Sequence, residues 1–236
     1  MAMSLGLGGF WPIVMSSLRR IAPVYEEVNK TISFSTDLRL RSEAVADKVY
    51  EGDVVLDVGA GNGVFTKILL TTQPKVSDVV MLDALPEMLE RAPQDNGKTH
   101  RVVGVFENMP FRGGCFTLAV AGFALRDARN MKQAFSEISR VLSDPARLII
   151  ADLGKPDSFF KSATIALYWR LVAPVLAFIK HGPVGYEVHT IYGTYRRLPP
   201  NSLLKTLIAL YFTKVEVVEK MFGGVVTVYA EKPRRK

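Results

Sequence analysis

The chain has only one cysteine and three histidines in 236 residues. Cys115 can form no intramolecular disulfide, and no cysteine-rich metal site can be built around it. A chain without disulfides favours a reducing, cytosolic setting. Because His100, His181 and His189 are scattered along the sequence, we expect no metal centre.

Long hydrophobic runs and blocks of like charge are also missing. The apolar stretch 5–14 is too short to span a bilayer and contains three glycines and a proline. No run reaches the five or six like charges of a basic arm, although the net charge is +7. The positive charge indicates an anionic partner, either nucleic acid or an acidic membrane surface, unless it is simply a solvated basic surface.

The composition is that of an ordinary α/β domain. With 48% hydrophobic and 22% charged residues, the chain is unlike disordered, collagen-like or multispanning membrane proteins. Its length is sufficient for one domain with a substantial core.

The stretch 53–63, DVVLDVGAGNG, carries the clearest functional signal. Its apolar residues lack helical spacing, which favours a buried strand of a parallel sheet. Gly59, Gly61 and Gly63 permit positive φ and close approach of a ligand, and an apolar helical stripe begins at Val64. We therefore predict a strand, a tight loop and a helix N-terminus that bind a ligand at the carboxyl end of the sheet.

The glycine spacing distinguishes two classes of ligand. A dinucleotide-binding G-x-G-x-x-G loop requires glycine where this chain has Val64. A second predicted strand, 79–82, ends in Asp83, where a carboxylate can accept hydrogen bonds from both ribose hydroxyls. The D-x-G-x-G-x-G pattern resembles motif I of Rossmann-like S-adenosylmethionine methyltransferases, which implies that cofactor. The alternative is an ordinary tight turn, and the position of Asp83 argues against it.

The remaining elements predict the fold class. Further strands are predicted at 101–105, 116–122 and 147–152, with an antiparallel pair at 214–220 and 224–232. Predicted helices begin near Pro86, at Asn130 with Gln133 as its reciprocal capping partner, and at Asn201. We predict an α/β, Rossmann-like, seven-stranded methyltransferase sheet with helices on both faces and an antiparallel C-terminal strand pair.

Four segments resemble the quinone-biosynthesis C-methyltransferases of the ubiquinone and menaquinone type. They are IAPVYEEVNKTISFSTDLRLR at 21–41, MLDALPEMLERA at 81–92, FENMPF at 106–111 and FALRDA at 123–128. The resemblance implies methylation of the ring of a polyprenylated quinol, demethylmenaquinol or a related compound, with S-adenosylmethionine as the methyl donor. It is weakest at 186–200. Many relatives carry aspartate or asparagine for the adenine where this chain has Val105.

The resemblance also implies a set of site residues. The implied cofactor contacts lie in the N-terminal segment, in motif I and at the following strand ends: Tyr25, Arg41, Asp57, Gly59, Ala60, Gly61, Asp83, Ala84, Phe106, Glu107 and Gly122. Tyr25 and Arg41 are candidates for the methionine end; alternatively Tyr25 packs and Arg41 lies on a solvated helix face. Phe106, Glu107 or backbone groups are expected to take over adenine recognition.

Arg126 and Asp127 occupy the family's diagnostic pair of positions and are the implied catalytic residues. The alternative is a surface ion pair of little energetic weight. Arg126 suits a cation that stabilises a phenolate, whereas Asp127, Glu107 and His189 remain alternatives as the general base. The implied site contains no metal.

The segment 158–183 is more apolar than a surface helix requires, although Pro174 and Arg170 argue against a membrane-spanning helix. It is predicted to be a lid or docking element, with a buried helix as the alternative. The predicted organisation is a cap at 1–45, a cofactor-binding core at 46–153, an apolar substrate-side insertion at 154–200 and a C-terminal completion of the sheet at 201–236.

The expected partner is a lipid-like quinol substrate, and the expected location is cytoplasmic. Peripheral membrane contact and a homodimer are compatible with this interpretation, whereas nucleic acid is disfavoured. The alternatives are a methyltransferase acting on RNA or on another small molecule, and a cofactor-binding protein without catalysis. No RNA-binding module accompanies the basic residues.

Overall fold

The computed structural model describes residues 5–72, 76–94 and 97–234, so the ends of the predicted cap and C-terminal regions extend beyond it. Within those ranges the strands are β1 (Val54–Val58), β2 (Asp78–Asp83), β3 (Thr99–Val103), β4 (Phe116–Gly122), β5 (Leu142–Leu153), β6 (Phe212–Lys220) and β7 (Val225–Pro233). The α-helices are α1 (Trp11–Ile21), α2 (Tyr25–Ser33), α3 (Thr36–Val45), α4 (Val64–Thr72), α5 (Pro86–Leu89), α6 (Met131–Val141), α7 (Phe159–Leu167), α8 (Ala173–His181), α9 (Thr190–Arg197) and α10 (Asn201–Ala209).

The strands form one sheet in the order β3-β2-β1-β4-β5-β7-β6. The first five pair in parallel, and β7 runs antiparallel to both β5 and β6. This order confirms the predicted Rossmann-like sheet and its antiparallel C-terminal pair.

Both faces of the sheet are covered. Along β1, Val55 packs into a cluster with α3 and α4, whereas Leu56 and Val58 pack into a larger cluster with α6 and α10. Strands buried on both faces need apolar residues at every position, which explains the continuous apolar run in the sequence.

The register brings three strand ends to one edge of the sheet. Val58 is level with Leu82, and Asp83 is level with Val103. The order of the strands switches sides at β1, because β2 is added on one side of it and β4 on the other. Ligands of open α/β sheets bind at such a crevice.

β3 and β5 depart most from their predicted bounds. β3 is Thr99–Val103 rather than 101–105, because its pairing with β2 ends where Asp83 meets Val103. β5 begins at Leu142, upstream of the predicted start at 147, and the pairing shift between Phe116 and Leu118 accommodates the extra residues.

The helix caps were predicted with mixed success. Asn130 does cap α6, since its side chain accepts hydrogen bonds from the backbone N–H of Lys132 and Gln133. Gln133 is not the reciprocal partner, because its side chain donates to the carbonyl of Glu107. Asn201 does not cap α10 either; it is the first helical residue, and its Oδ1 accepts from the backbone N–H of Lys155 at 2.7 Å.

The insertion is helical and largely exposed. α7 leads through a π-helical turn, Tyr168–Val172, into α8, and a 3-10 segment, Gly182–His189, follows before α9. α7 has no buried residue, whereas α8 buries Ala173, Pro174 and Ala177. The alternative of a fully buried helix is therefore wrong.

Candidate cofactor and substrate site

The glycine loop after β1 is bound to the end of β2. The backbone N–H groups of Gly59 and Ala60 both donate to the carbonyl of Leu82, at 2.8 and 3.0 Å. Gly59, Gly61 and Gly63 all have positive φ, between 56° and 76°. The loop conformation therefore requires glycine at these three positions.

Gly61 differs from its two neighbouring glycines in what surrounds it. A Cβ at Gly59 would lie 2.5 Å from the Cβ of Ala124, and one at Gly63 would lie 2.5 Å from Pro93. A Cβ at Gly61 would meet only the methyl group of Met88, at 3.8 Å. Gly61 is thus the point where a ligand can approach the loop backbone.

Asp83 lies directly against this loop. Its Oδ2 accepts from the N–H of Gly61 and its Oδ1 from the N–H of Leu85, both at 2.8 Å. Burial raises the pKa of Asp83, while these two N–H groups and that of Ala84 oppose the rise. Each oxygen retains a free lone pair, so the carboxylate can still accept two ribose hydroxyls.

Asp57 connects the end of β1 to the first turn of α4. It is fully buried, and its Oδ2 accepts from the backbone N–H and the hydroxyl of Thr66, at 3.1 and 2.7 Å. Burial raises the pKa of Asp57 to about 6, against the effect of these hydrogen bonds. These contacts fix the first turn of α4, and a direct contact with the cofactor stays a prediction.

Phe106 and Glu107 have different surroundings. The ring of Phe106 lies against Gly59, where an added Cβ would be 2.8 Å from the ring. The Glu107 carboxylate accepts from the backbone N–H of Asn130 at 3.0 Å, and Arg129 lies 3.7 Å from it. Glu107 is therefore engaged at the start of α6, which leaves Phe106 and nearby backbone groups for adenine.

Arg41 lies at the end of β4. Its guanidinium donates to the carbonyl of Gly122 at 3.3 Å, pairs with Asp37 at 2.7 Å and lies 4.7 Å from the ring centroid of Phe123. The side chain is buried. The alternative of a solvated helix face is therefore wrong for Arg41.

Arg126 is buried among acceptors, with 9% of its surface exposed. One guanidinium nitrogen donates to the carbonyl of Phe123 and lies 3.3 Å from Asp152, and Asp127 lies 3.7 Å from Nε. Burial lowers the pKa of Arg126, but Asp127 and Asp152 outweigh burial and raise it. The alternative of a surface ion pair is therefore wrong.

The Nε of Arg126 has no hydrogen-bond partner among the described residues. A buried donor without a hydrogen-bond partner is costly, and a catalytic role is one of the recognised reasons for keeping such a group. Asp127, beside it, has its pKa raised to about 6 by burial, although the charge of Arg126 opposes the rise.

Two adjoining cavities meet next to Arg126. The inner cavity, of about 50 Å³, lies between the cap and the ends of β4 and β5. Its polar lining residues are Tyr25, Asn29, Ser33, Asp37, Arg41 and Arg126. The outer cavity, of about 220 Å³, is almost wholly apolar. The two share Ile32, Ser33, Asp37, Phe123, Leu153 and Trp169 as walls. A cavity with several polar residues in its lining therefore lies next to an apolar one.

The cap closes over this edge of the sheet. Glu26 accepts a hydrogen bond from the side-chain nitrogen of Asn62, in the glycine loop, at 2.9 Å. Arg19 of α1 pairs with Glu87 of α5 at 2.8 Å. Since the cavities are smaller than a typical ligand pocket, binding requires these segments to move.

Several residues of this site have no role predicted from the sequence, although Phe34 lies within the segment 21–41 and Asn62 within the stretch 53–63. Met221 and Phe34 line the mouth of the outer cavity, and Asn62 contacts the cap. His189, a candidate base, is exposed and stacks on Tyr186 outside both cavities. Within 5–72, 76–94 and 97–234, no group of three His, Cys, Asp or Glu side chains could hold a metal ion.

Comparisons with known proteins match most of the chain. A family model described as a methyltransferase domain matches residues 56–150. The demethylmenaquinone methyltransferase of Tropheryma whipplei (strain Twist) is 30% identical over 181 residues, which cover 75% of this chain and 74% of that protein. The ubiquinone/menaquinone biosynthesis C-methyltransferase UbiE of Geotalea uraniireducens is 26% identical, over 89% of this chain and 91% of that protein.

A solved structure shows the same fold. The plantazolicin methyltransferase BpumL in complex with SAH superposes with a TM-score of 0.64 at 13% sequence identity, covering 94% of each chain. SAH is what S-adenosylmethionine becomes after it has given up its methyl group.

Proposed function

This chain belongs to the quinone-biosynthesis C-methyltransferase family, whose members are S-adenosylmethionine-dependent, and we propose that it methylates a ring carbon of a lipid-tailed quinol. Methyltransferase activity and the cofactor follow from the family. The identity of the acceptor is the proposal, and it rests on the two cavities.

The proposed cofactor site is the crevice between β1, β2 and β4. When bound, S-adenosylmethionine supplies a methyl group on a sulfonium, which is an electrophile toward carbon. The open space at Gly61 would let the ligand approach the loop backbone, and the Asp83 carboxylate beside it would accept hydrogen bonds from the ribose hydroxyls. Tyr25 and Arg41, on the polar side of the inner cavity, are assigned to the methionine end. Ala84, Phe106 and Gly122 complete the assignment.

The observation that carries the proposal is the buried Nε of Arg126, which has no hydrogen-bond partner among the described residues. Arg126 lines the inner cavity, and the apolar outer cavity adjoins it. A quinol has the same division, since its ring hydroxyls are polar and its tail is a hydrocarbon. Loss of a hydroxyl proton leaves a phenolate, whose negative charge makes the neighbouring ring carbon nucleophilic. Once that carbon has taken the methyl group in place of the sulfur, it loses its own proton and the aromatic ring is restored. A buried guanidinium with a free donor stabilises such an oxyanion.

Asp127 is the base that the structure favours. Asp127 and Arg126 line a small cavity together with Tyr25 and Asn29. By contrast, the Glu107 carboxylate accepts a hydrogen bond at the start of α6, and His189 is exposed. A carboxylate whose pKa is about 6 is a stronger base than an ordinary aspartate and is still ionised at neutral pH.

The apolar character of the outer cavity supports the proposal that the substrate carries a lipid tail. Its walls include Ile32, Leu153, Ile165 and Trp169, and it contains little polar surface. Burying a hydrocarbon tail there is favourable by about 0.8 kcal/mol per methylene group. An RNA nucleotide would instead place charged phosphates against these apolar walls.

The test is turnover of purified protein with S-adenosylmethionine and demethylated quinols of different tail length. We expect a product heavier by one methyl substituent, with the new group on a ring carbon by NMR. Methylation of RNA with quinols inert, or methylation of a quinol hydroxyl instead of a ring carbon, would contradict the proposal.

A further inference from the structure

The outer face of α7, the π-turn and α8 is unusually apolar for an exposed surface. The segment Phe159–Arg197 includes a stretch of mean hydropathy 1.6, of which only 17% is buried. Exposed apolar side chains recur along one helical stripe: Phe160, Leu167, Leu171, Val175, Phe178 and Ile179. Monomeric proteins seldom leave so large a contiguous apolar surface without a partner.

The charge of this surface indicates the kind of partner. Residues 158–186 contain no aspartate or glutamate. Lys161, Arg170 and Lys180, by contrast, are all exposed on these helices. Glu27 of α2 lies near Lys180, but the helices that carry the stripe themselves contribute only positive charge. An apolar stripe on such helices is complementary to an anionic lipid surface, in which acyl chains lie beneath negative headgroups.

The inner face of the same helices fixes their orientation. Ala173 and Ala177 pack against Val28 and Ile32 of α2, and the hydroxyl of Tyr168 donates to the carbonyl of Ile32 at 2.5 Å. Because this face is bound to the domain along its length, the helices lie across the surface instead of crossing a bilayer.

The mouth of the outer cavity opens beside the stripe. Ile165 of α7 lines this cavity and contacts the turn between β6 and β7, since a Cβ at Gly224 would lie 2.8 Å from its side chain. Phe34, which lines this cavity, is 70% exposed, and Phe222, which follows the cavity residue Met221 in the chain, is 84% exposed. The two loops that carry them flank the opening.

The backbone at both loops is strained. Phe34 and Phe222 have φ of 51° and 60°, a region that bulky side chains rarely adopt. Strain of this kind is tolerated where it serves a function. Here it holds two aromatic rings in solvent, beside the stripe, where contact with lipid would bury them.

We propose that the stripe and the two phenylalanines form a surface that docks on an anionic bilayer. The mouth of the outer cavity then faces the lipid, and a lipid-tailed substrate passes into it without crossing water. That second step rests on the proposed function, whereas the docking does not.

The test is flotation of the purified chain, without substrate, with vesicles of phosphatidylcholine alone or mixed with about one third phosphatidylglycerol. We expect binding to the anionic vesicles. Replacing Lys161, Arg170 and Lys180 by glutamine should lower the partition coefficient for anionic vesicles about fivefold for each residue replaced. Each basic residue near such a surface strengthens binding by about that factor.

The apolar contribution is tested with a matched pair of leucines. Leu171 is 53% exposed on the stripe, and Leu210 is 54% exposed at the end of α10. Leu171→Asp should lower partitioning by at least about tenfold, whereas Leu210→Asp should leave it within about twofold. The double variant Phe160→Asp/Ile179→Asp repeats the test at two highly exposed positions, where folding is least at risk.

Three results would overturn docking. They are no flotation of the wild type with anionic vesicles, equal losses for Leu171→Asp and Leu210→Asp, and a lipid-free dimer that Leu171→Asp converts to monomer. The last result would assign the surface to a second copy of this chain. Turnover of a short-tailed quinol by Leu171→Asp, equal to wild type, would show that any loss of docking is separate from the chemistry.

Discussion

The proposed cofactor side and the proposed substrate side of the site are built in different ways. On the cofactor side, short segments at adjacent strand ends are held by backbone hydrogen bonds, as Gly59, Gly61 and Asp83 show. On the substrate side, side chains from the cap, the insertion and the β6–β7 turn meet across long sequence separations. The sheet fixes the positions of the residues on the first side. The second side depends on packing between segments that are far apart in the sequence.

This difference predicts how substitutions behave. Changes on the cofactor side should alter cofactor affinity without altering substrate choice. Changes around the outer cavity should alter discrimination among substrates without altering cofactor affinity. Arg126 and Asp127 lie where the two sides meet, and they should alter turnover itself.

The largest effect is expected for Asp127→Asn, which removes the proposed base while keeping the shape of the side chain. Turnover should fall by about 10²–10⁴. In the wild type, kcat should rise with pH through the pKa of about 6 and level off above it, because the base acts only when ionised. The pH profile of kcat on a soluble quinol measures this.

Asp127 faces Arg126, which lowers its pKa, and Asp152 and Asp83, which raise it, with Thr194 as a hydrogen-bond donor. Thr194→Val is a matched control, because it removes that donor and leaves the carboxyl. It should move the midpoint of the pH profile upward. A wild-type profile with no inflection near this pH would remove Asp127 from the role of base.

Arg126→Ala is expected to lower kcat by about 10²–10³, since it removes a preorganised donor from the developing phenolate. Cofactor affinity should stay within a few-fold, as measured by calorimetry. The same substitution leaves Asp127 and Asp152 buried without their partner, which costs about 3–5 kcal/mol of folding stability.

Arg126→Lys separates these two effects, because it keeps the charge and loses the planar group of donors. It should fold better than Arg126→Ala, by thermal melting, and recover only part of the turnover. Full turnover in Arg126→Lys would show that charge alone is needed at this position.

Asp83→Ala tests the cofactor side. Loss of two hydrogen bonds to the ribose should weaken cofactor binding by about 2–4 kcal/mol, roughly 30- to 1000-fold. Asp78→Ala, at the exposed start of the same strand, is the matched control and should bind normally. Unchanged affinity of folded Asp83→Ala would place the ribose elsewhere.

The two sides also differ in how far the sequence predicts them. Asp83 was located from sequence because its position depends on a strand end and a loop that are close in the chain. The outer cavity was not, because Phe34, Trp169 and Met221 become neighbours only through packing of distant segments. Glu107 shows the limit within one loop, since a motif does not reveal that its carboxylate turns toward Asn130.

Trp169→Ala tests the substrate side at a residue that lines both cavities. Loss of its packing should lower kcat/KM for long-tailed quinols about tenfold and for tail-free analogues by less than about threefold. Polar substitution of Phe178, which lines neither cavity, should spare both substrates when they are dissolved in detergent and no bilayer is present. Equal losses on both substrates in Trp169→Ala would indicate unfolding of the insertion instead.

The smallest effect is expected at the contact between the cap and the glycine loop. Asn62 is buried and donates to Glu26, which is exposed, so Glu26→Ala removes the bond without creating a cavity. One hydrogen bond of this kind contributes about 0.5–1.5 kcal/mol, and cofactor release should become about two- to tenfold faster in stopped-flow displacement. Glu27→Ala is the matched control, because Glu27 pairs with Lys30 on the outer side of α2 and does not contact the loop. If both variants release the cofactor at the wild-type rate, the contact between the cap and the glycine loop does not limit cofactor exchange. Retention of the cofactor would then depend on the strand ends and the glycine loop alone.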